Sequence, residues 1–378
     1  MTKERRPVVT QEHNIPIYAP TLGPEEEANV LDCLRSTWIS SKGKYIAEFE
    51  TAFADQCGMK FATSVCNGTV ALHLALVALG IGPEDEVIVP TLTYIASANA
   101  ITYTGATPVF CDCDPMTWQI SPADIEAKIT SRTRAIMPVH LYGGACDMRA
   151  IMKIAQKYGL LVVEDCAEAI GTYADGAHVG NFGDIATFSF FGNKTITTGE
   201  GGMVVTNNQT LAGRASHFRG QGLAVHRQYW HDVIGFNYRM TNICAAIGLP
   251  QLQRSKGFLA RKAKIFDVYH TQLSELPLQF QKSYPNTTHS QWLVSILTRN
   301  ATEREALRAW LSADRIETRP VFYPIHTMPI YAQNFRPLPV SEDISQRGIS
   351  LPSWPGLTDE DVAYVIASIR SFYEAKHG

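Results

Sequence analysis

Residues 61–80, FATSVCNGTVALHLALVALG, join a short apolar run to an amphipathic helical stretch. The same alternation continues to about residue 210, and helical stretches such as YIASANAITY (94–103) and DMRAIMKIAQKYG (147–159) separate the apolar runs. The further strand-like runs are EVIVP (86–90), TPVFCD (107–112), RAIMPVHL (134–141), LLVVED (160–165), DIATFSF (184–190) and GMVVTN (202–207). Apolar strands spaced by helices predict an α/β fold with a mostly parallel sheet covered on both faces.

The pattern changes beyond residue 240. A long helical stretch is predicted from Asn242 through Leu273, and a shorter final helix in 357–376 with Thr358 as its N-cap. Between them lie a strand, QWLVSILT (291–298), a helix, EREALRAWLSAD (303–314), and a Pro-rich run, RPVFYPIHTMPIY (319–331). We therefore predict a large α/β domain over residues 1–245, which includes the N-terminal segment, and a smaller C-terminal α+β domain over residues 246–378.

The composition argues against two classes of partner. Of 378 residues, 33 are Lys or Arg and 36 are Asp or Glu, which gives a formal net charge of −3. Proteins that bind nucleic acid or an anionic membrane surface usually carry an excess of positive charge. The sequence contains no run of about 18 uncharged apolar residues, so we predict no membrane-spanning helix. Residues 1–14, MTKERRPVVTQEHN, lack the apolar stretch of a signal peptide, and we expect a cytoplasmic protein.

The eight cysteines do not form the pattern of a metal site or a disulfide framework. They make no CxxC pair, and no histidine cluster with zinc-like spacing accompanies them. Cys111 and Cys113 form one C-x-C, but both fall in or just after an apolar strand pattern. We therefore expect buried thiols in a reducing compartment, and no metal.

Two charged residues stand at or after the ends of predicted strands, where a parallel sheet binds its ligands. Asp165 closes LLVVED (160–165), and Lys194 lies in FSFFGNKTITTGEGG (188–202). Taken alone, a strand-end aspartate is usually a cap or turn residue, and a loop lysine is usually solvated. The Phe, Thr and Gly residues around Lys194, however, predict close packing. A desolvated lysine has a lowered pKa and can form a Schiff base.

Two further motifs lie at the same predicted edge of the sheet, where the carboxyl ends of the strands meet. Asn67-Gly68-Thr69 begins a helix whose N-terminus could bind a phosphate, although the tripeptide could also be only a turn with an N-cap. Tyr94 opens the next helical stretch and could stack on a flat ring. With a carboxylate and a reactive lysine, these motifs match the four partners of pyridoxal 5′-phosphate (PLP). No P-loop order occurs, and no G-x-G-x-x-G opens the first strand–helix turn, which counts against an NTPase and a nicotinamide dehydrogenase.

Over nearly its whole length the sequence resembles the DegT/DnrJ/EryC1/StrS nucleotide-sugar aminotransferases. That family has the aspartate-aminotransferase fold, fold type I of the PLP-dependent transferases, and the resemblance implies this fold here. The motifs that carry the resemblance are NGTVALHLAL (67–76), VIVPTLTYIASANA (87–100), PVHLYG (138–143), VEDCAEAIG (163–171), FSFFGNK (188–194) and GFNYRMTN (235–242). Sugar dehydratases related to the family carry His where this chain has Lys194, so the lysine favours amino transfer.

Carried over position by position, the resemblance implies a role for each matched residue. Lys194 matches the lysine that binds PLP, and Asp165 matches the partner of its ring nitrogen. The other matched cofactor positions are Gly68, Thr69 and Ser189 for the phosphate, Tyr94 for the ring face and Glu168 for the ring hydroxyl. Asn237 matches a residue that contacts the phosphate of the PLP bound in the neighbouring subunit. The last of these implies a homodimer with shared active sites.

The resemblance also implies a substrate. Within the family the sequence looks most like the enzymes that make GDP-perosamine from GDP-4-keto-6-deoxy-D-mannose for O-antigen or other surface polysaccharides, with glutamate as the expected amino donor. The positions in segments that line the sugar-nucleotide side are Trp38, Ser40, Arg219, Tyr238, Arg319, Tyr323 and His326. The alternatives are a 4-aminotransferase for a TDP- or UDP-linked keto sugar, and a non-catalytic regulator that binds PLP or a sugar nucleotide. The presence of both Lys194 and Asp165 argues against the regulator.

Overall fold

A computed structural model describes residues 14–334 and 336–375 of the chain. Strands and helices alternate over residues 61–165, as the sequence pattern predicts, and four further strands and a helix follow before residue 220. In this part the elements are α1 (Pro24–Ser36), α2 (Lys44–Cys57), β1 (Phe61–Val65), α3 (Gly68–Leu79), β2 (Glu86–Pro90), α4 (Ala96–Tyr103), β3 (Thr107–Cys111), α5 (Pro122–Ala127), β4 (Thr133–Ile136), a 3-10 turn (Leu141–Gly143), α6 (Met148–Tyr158), β5 (Leu161–Asp165), β6 (Tyr173–Ala174), β7 (Ala177–His178), β8 (Ile185–Ser189), β9 (Gly202–Thr206) and α7 (Gln209–Arg219).

The central sheet has seven strands in the order β1-β9-β8-β5-β4-β2-β3. Strands β3, β2, β4, β5 and β8 run parallel, whereas β9 is antiparallel to both of its neighbours. Successive side chains point to opposite faces. Phe188 and Val205 pack in one core with Phe53 of α2, while Val163 and Val204 belong to the core formed with α3. The predicted α/β fold with a mostly parallel sheet is confirmed.

The rest of the chain builds a second, smaller sheet with its own helical cover. Its elements are α8 (Asn242–Leu273), β10 (Gln279–Phe280), β11 (Thr287–Thr288), β12 (Val294–Leu297), α9 (Ala301–Ala313), β13 (Arg319–Pro320), 3-10 turns (Ile325–Thr327 and Ala332–Asn334), α10 (Pro339–Arg347), β14 (Gly348–Leu351) and α11 (Asp359–Ala375). Four of these strands form an antiparallel sheet in the order β10-β12-β14-β13, and β11 pairs with β6. Ile265, Leu307 and Val365 of the helices share one buried core with this sheet.

Helix α8 contributes to both cores. Ala245 and Leu252 in its first half pack with α2, whereas Ile265 and Leu273 in its second half pack with the smaller sheet. The division between residues 245 and 246 falls in the first turns of this helix, and it stays a prediction.

Pro250 lies inside α8 and has no N–H to donate, so it leaves the carbonyl of Ala246, four residues earlier, without its usual helical partner. The side-chain amide of Asn29 in α1 donates to that carbonyl at 3.2 Å.

Two predictions about where an element ends or begins differ in outcome. The strand predicted over 134–141 ends at Ile136, because Pro138 cannot donate to a strand ladder. Beyond it, an isolated parallel bridge joins Val139 to Asp165, in which the Pro138 carbonyl accepts the N–H of Asp165 at 2.9 Å. The predicted N-cap Thr358 is confirmed, since its hydroxyl accepts the N–H of Asp361 at 3.0 Å. Among the described helices, none is both long and apolar enough to cross a membrane.

Candidate active site

A cavity of about 620 Å³ opens at the ends of β2, β5 and β8. It is the edge at which the carboxyl ends of these parallel strands meet, where open α/β sheets bind their ligands. Seven of the eight residues predicted for catalysis and cofactor binding line it: Gly68, Thr69, Tyr94, Asp165, Glu168, Ser189 and Lys194. The structure thus brings together residues that lie more than a hundred positions apart in the sequence.

The first turn of α3 forms an anion cradle on one wall. Asn67 caps this helix by accepting the N–H of Val70 at 3.0 Å, which leaves the N–H groups of Gly68 and Thr69 available to a ligand. The backbones here approach so closely that no side chain fits. A Cβ on Gly68 would lie 2.8 Å from Cβ of Ser189, and one on Gly202 would lie 2.6 Å from the carbonyl oxygen of Asn67.

Asp165 ends β5 with its carboxylate buried in the cavity wall. One oxygen accepts the hydroxyl of Ser97 at 2.8 Å, and the other accepts the N–H of Ala167 at 3.1 Å. Burial raises the pKa of Asp165, and these two hydrogen bonds offset only part of that effect. The surroundings therefore compensate a negative charge on Asp165 only in part.

Lys194 and Glu168 face each other across the cavity. The amine of Lys194 lies 3.8 Å from a carboxylate oxygen of Glu168 and 4.0 Å from the centre of the Trp292 ring. Burial lowers the pKa of Lys194 and raises the pKa of Glu168 to about 7, so both groups are shifted towards their neutral forms. Glu168 is oriented by the N–H of Tyr142, which donates to its second oxygen at 2.7 Å.

Aromatic rings form the remaining wall. Tyr142 stacks on Trp292 with ring centres 5.9 Å apart, and on Phe322 at 5.3 Å. Tyr94, whose ring is exposed, lies 5.8 Å from Phe322. Such a wall offers an apolar surface to a flat ring.

These residues fit PLP on each of the four points that the cofactor requires. The helix N-terminus at Gly68 provides N–H groups for a phosphate, and Lys194 provides a largely buried amine for an aldehyde. Asp165 is a buried carboxylate for which the described part of the chain shows no ion pair, and a protonated ring nitrogen would supply one. The exposed ring of Tyr94 provides a face for stacking.

The model of the DegT/DnrJ/EryC1/StrS aminotransferase family matches residues 20–370 of the chain. The chain belongs to this family. A member of the DegT/DnrJ/EryC1/StrS family is an aminotransferase that uses PLP, so the predicted enzyme class, cofactor and fold type are confirmed.

Named relatives agree with this assignment. The GDP-perosamine synthase of Escherichia coli O157:H7 is 61% identical over 362 residues, which cover 96% of this chain and 99% of the relative. The GDP-perosamine synthase of Caulobacter vibrioides is 51% identical, over 94% of this chain and 97% of its own. The Streptococcus pneumoniae protein Spr1654, solved in its PLP form, superposes with a TM-score of 0.92 at 27% identity, covering 96% of this chain and 99% of that one.

The seven residues predicted to bind the sugar nucleotide do not lie together in the structure. Within the described part of the chain, Arg319 lines the cavity and the other six lie outside its lining. Arg219 is engaged elsewhere, since its guanidinium pairs with Glu50 at 2.6 Å and donates to the carbonyl of Ser64 at 2.7 Å. The hydroxyl of Tyr238 lies 3.0 Å from Nδ1 of His73.

His326 is buried in a chain of hydrogen bonds, with Nδ1 2.7 Å from the Thr91 hydroxyl and Nε2 3.1 Å from Glu342. The residues that remain at the surface are Trp38, Ser40, Tyr323 and the cofactor position Asn237. All these substrate roles stay predictions, and those of Arg219, Tyr238 and His326 would compete with the bonds that these side chains make here.

Sequence reasoning did not identify three residues of the site. Ser97 holds Asp165, Trp292 lies under the Lys194 amine, and Phe322 completes the aromatic wall. A signal existed for Ser97, a polar residue in the first turn of a helix that begins at the ligand edge. Trp292 precedes a short strand of the second sheet, and no local pattern links it to Lys194.

Glu164 precedes Asp165 on β5 and therefore points to the opposite face of the sheet. One carboxylate oxygen accepts the N–H groups of Phe182 at 2.8 Å and Gly183 at 2.7 Å, and the other accepts the N–H of Gly180 at 2.8 Å and bonds Nε2 of His140 at 3.1 Å. Burial opposes ionisation, but these bonds lower the pKa of Glu164 overall. His140, Glu164 and Cys166 lie close enough to hold a metal ion, yet both oxygens of Glu164 are already engaged, so we assign no metal to them.

Proposed function

We propose that this aminotransferase converts GDP-4-keto-6-deoxy-D-mannose to GDP-perosamine for O-antigen or other surface-polysaccharide synthesis, with glutamate as the amino donor. The observation that carries the proposal is a largely buried lysine amine that shares one cavity with the buried carboxylates of Asp165 and Glu168, in a chain 61% identical to the GDP-perosamine synthase of Escherichia coli O157:H7. We also propose a cytoplasmic location, which the eight free thiols support.

The proposed reaction exchanges an amino group for an oxygen. Glutamate becomes 2-oxoglutarate, and the carbonyl carbon C4 of the sugar becomes an amine, so the two half-reactions balance without an outside oxidant. When bound, PLP supplies an aldehyde that carries the amino group and a ring that accepts an electron pair. Lys194, whose pKa is lowered by burial, can take the Cα proton of the donor and later deliver a proton to C4 of the sugar.

Asp165 has a different task from Lys194, because it keeps the ring nitrogen protonated. At ~3 Å and an effective dielectric constant of ~20, opposite charges attract by roughly 5 kcal/mol. That energy corresponds to about four pKa units before desolvation subtracts some of it. Ser97 and the N–H of Ala167 hold the carboxylate in place for this role.

The visible absorbance of the PLP-loaded enzyme tests the proposal. We expect the band to disappear when glutamate is added and to return when GDP-4-keto-6-deoxymannose follows. TDP- and UDP-linked 4-keto sugars serve as matched controls, and a return with either of them in place of the GDP sugar would transfer the proposal to that nucleotide. The absence of any band in PLP-saturated protein would contradict the assignment of Lys194.

We further propose a homodimer with shared active sites, in which residues 220–237 of one chain complete the site of its partner. Apolar side chains of this segment stand in solvent, where Tyr229 is 93% exposed and Ile234 is 92% exposed. Exposed apolar groups at this density are typical of surfaces that another chain covers. Asn237, the predicted phosphate contact, is exposed where the segment ends, next to its β-bridge with Gly220.

Mixed dimers test the shared site. Lys194→Ala and Asn237→Ala chains are each expected to be inactive as homodimers. A dimer of one chain of each kind contains one site with both Lys194 and Asn237, so co-expression with two affinity tags should recover about half of the activity per dimer. No recovery in dimers that carry both tags would overturn the shared site and leave the chemistry of Lys194 untouched.

A further inference from the structure

Lys262 of α8 is a buried lysine that the proposed chemistry does not use. Its side chain has no exposed surface, and within residues 14–334 and 336–375 it pairs with no carboxylate. Its amine donates instead to the carbonyl oxygens of Trp292 at 3.0 Å and Ser353 at 2.6 Å. Burial lowers the pKa of Lys262 to about 7. Because burying an amine without a counter-ion is unfavourable, a lysine here indicates more than the filling of space.

Two residues connect Lys262 with the loop that carries Lys194. Trp292, whose carbonyl accepts from Lys262, donates its indole N–H to the carbonyl of Asn193 at 2.8 Å. Tyr18, whose ring centre lies 5.5 Å from the Lys262 amine, donates its hydroxyl to the carbonyl of Lys194 at 2.5 Å. The two consecutive carbonyls of the catalytic loop are therefore held by the two aromatic residues that Lys262 contacts.

The same residues also contact the reacting end of Lys194. The Lys194 amine lies 4.0 Å from the centre of the Trp292 ring, within the distance at which an aromatic face stabilises a cation. Trp292 is thus in contact with both the backbone before Lys194 and its amine. A displacement of Trp292 would change the position of the amine and its preference for the protonated form.

We propose that Lys262 is a positioning residue for Lys194 and acts through Trp292 and Tyr18. The inference rests on the proposed aminotransferase function, since that chemistry needs one amine to act at two substrates in turn. Reacting groups tolerate little displacement, and an error of about 1 Å can reduce a rate by about 100-fold. Lys262 joins α8 to the Trp292 carbonyl, and so places the Lys194 loop relative to the second sheet.

A merely structural role makes a different prediction. Lys262 also links Ser353, after β14, to Trp292, before β12, and a loss of this link alone would lower the stability of the second sheet. In that case the enzyme molecules that do fold would show unchanged chemistry at Lys194. The decisive readouts are therefore measured on folded, PLP-loaded protein.

The test compares Lys262→Met with Lys256→Met, an exposed lysine on the same helix. We expect Lys262→Met to react with glutamate about tenfold more slowly in a single turnover, with its half-saturating glutamate concentration changed less than about twofold. The pH midpoint of its visible band should fall, because the Trp292 ring no longer stabilises the cation as well. Lys256→Met should match the wild type in all three quantities.

Tyr18→Phe provides a second variant that keeps the ring and removes one bond to Lys194. We expect it to be slowed as well, and the double variant with Lys262→Met to lose less than the product of the two single effects, since both act through one loop. A Lys262→Met enzyme with the wild-type rate and pH midpoint would overturn the proposal, whatever its stability. If Lys262→Met does not fold, Tyr18→Phe decides, and a wild-type rate for it would overturn the link.

The proposed sugar and the positioning role fail separately. A wild-type enzyme that reacts with glutamate but not with GDP-4-keto-6-deoxymannose would overturn the substrate and leave the Lys262 comparison intact. The pH midpoint of the bound PLP needs no substrate at all, so it tests the positioning role even if another amino acid is the donor.

Discussion

The two faces of β5 each bury one carboxylate, and the chain surrounds them differently. On one face, Glu164 accepts three backbone N–H groups and a bond from His140, and its pKa lies below the ordinary value. On the other face, Asp165 accepts one backbone N–H and the Ser97 hydroxyl, and burial raises its pKa. Both carboxylates are buried, so the difference lies in the number of donors around them. The chain fully compensates the carboxylate that holds loops together and leaves the other one available to a cationic partner.

Asp165→Asn should have the largest effect on catalysis. The amide keeps the size of the side chain but removes the charge that we propose holds the ring nitrogen protonated, so we expect turnover to fall by about three orders of magnitude. The stability of the PLP-free protein should stay within about 1 kcal/mol of the wild type, because a poorly compensated buried charge is removed. Steady-state kinetics and urea unfolding measure the two quantities. Near-normal turnover would remove Asp165 from the mechanism.

Glu164→Gln should show the reverse pattern. An NH₂ group would replace an oxygen that accepts backbone N–H groups, so buried donors would face each other. We expect the free energy of unfolding to fall by roughly 3 kcal/mol, and the turnover of the folded protein to change less than about threefold. Urea unfolding at pH 7 provides the measurement. Wild-type stability combined with a large loss of turnover would show that Glu164, too, belongs to the catalytic face.

Glu168→Gln extends the comparison to pH. The pKa of Glu168 is about 7 in the folded protein and about 4.3 when unfolded, so the folded state binds more protons between these values. Through this group, stability falls as pH rises from about 4.3 to about 7. Glu164, with its lowered pKa, contributes stability that is present above its ordinary pKa and lost as pH falls.

Glu168→Gln should therefore stabilise the PLP-free protein by roughly 1–2 kcal/mol at pH 8, where the wild-type protein must ionise a buried carboxyl group. It should have little effect on stability at pH 4. Unfolding free energies at the two pH values test the sign. An equal change at both pH values would mean that Glu168 titrates normally in the folded state.

Cys166→Ala should have the smallest effect. Cys166 follows Asp165 and lies fully buried in the core with Phe188, so the variant removes one sulfur atom from a packed region. We expect a loss of about 1 kcal/mol in unfolding free energy and no change in turnover. A large loss of activity, with or without added metal ions, would assign chemistry to the cluster of Cys166 with His140 and Glu164.

The parts of this molecule that the sequence predicts well are those determined by local pattern. The strands and helices between residues 61 and 206 follow from apolar runs and periodicity, and Asp165 and Lys194 follow because the ends of parallel strands meet at one edge. The family motifs then add the cofactor, since they combine these positions with Gly68 and Tyr94.

The parts that the sequence does not predict depend on side chains that meet across long separations. Trp292 lies 98 positions from Lys194, and Arg219 pairs with Glu50 across 169 positions, so neither contact leaves a local signal. His326 likewise lies in a Pro-rich run that is predicted to contact the substrate, whereas its hydrogen-bond partners in the structure are Thr91 and Glu342. Tertiary packing decides which polar side chains already have a hydrogen-bond partner, so the local sequence does not show it.

The proline inside α8 has a consequence for how helices find their alignment. Along an unbroken helix every inner carbonyl is engaged, so a neighbouring helix meets a uniform backbone and can shift by one turn, about 5.4 Å, with no change in polar contacts. Pro250 makes the carbonyl of Ala246 different from those around it, and Asn29 reaches that carbonyl at one offset of α1 along α8. The bond from Asn29 to the Ala246 carbonyl thereby carries positional information. Together with the bonds that Gln251 and Arg254 of α8 make to Glu26, it sets the register of α1, and with it the starting point of the segment 37–43 that carries Trp38.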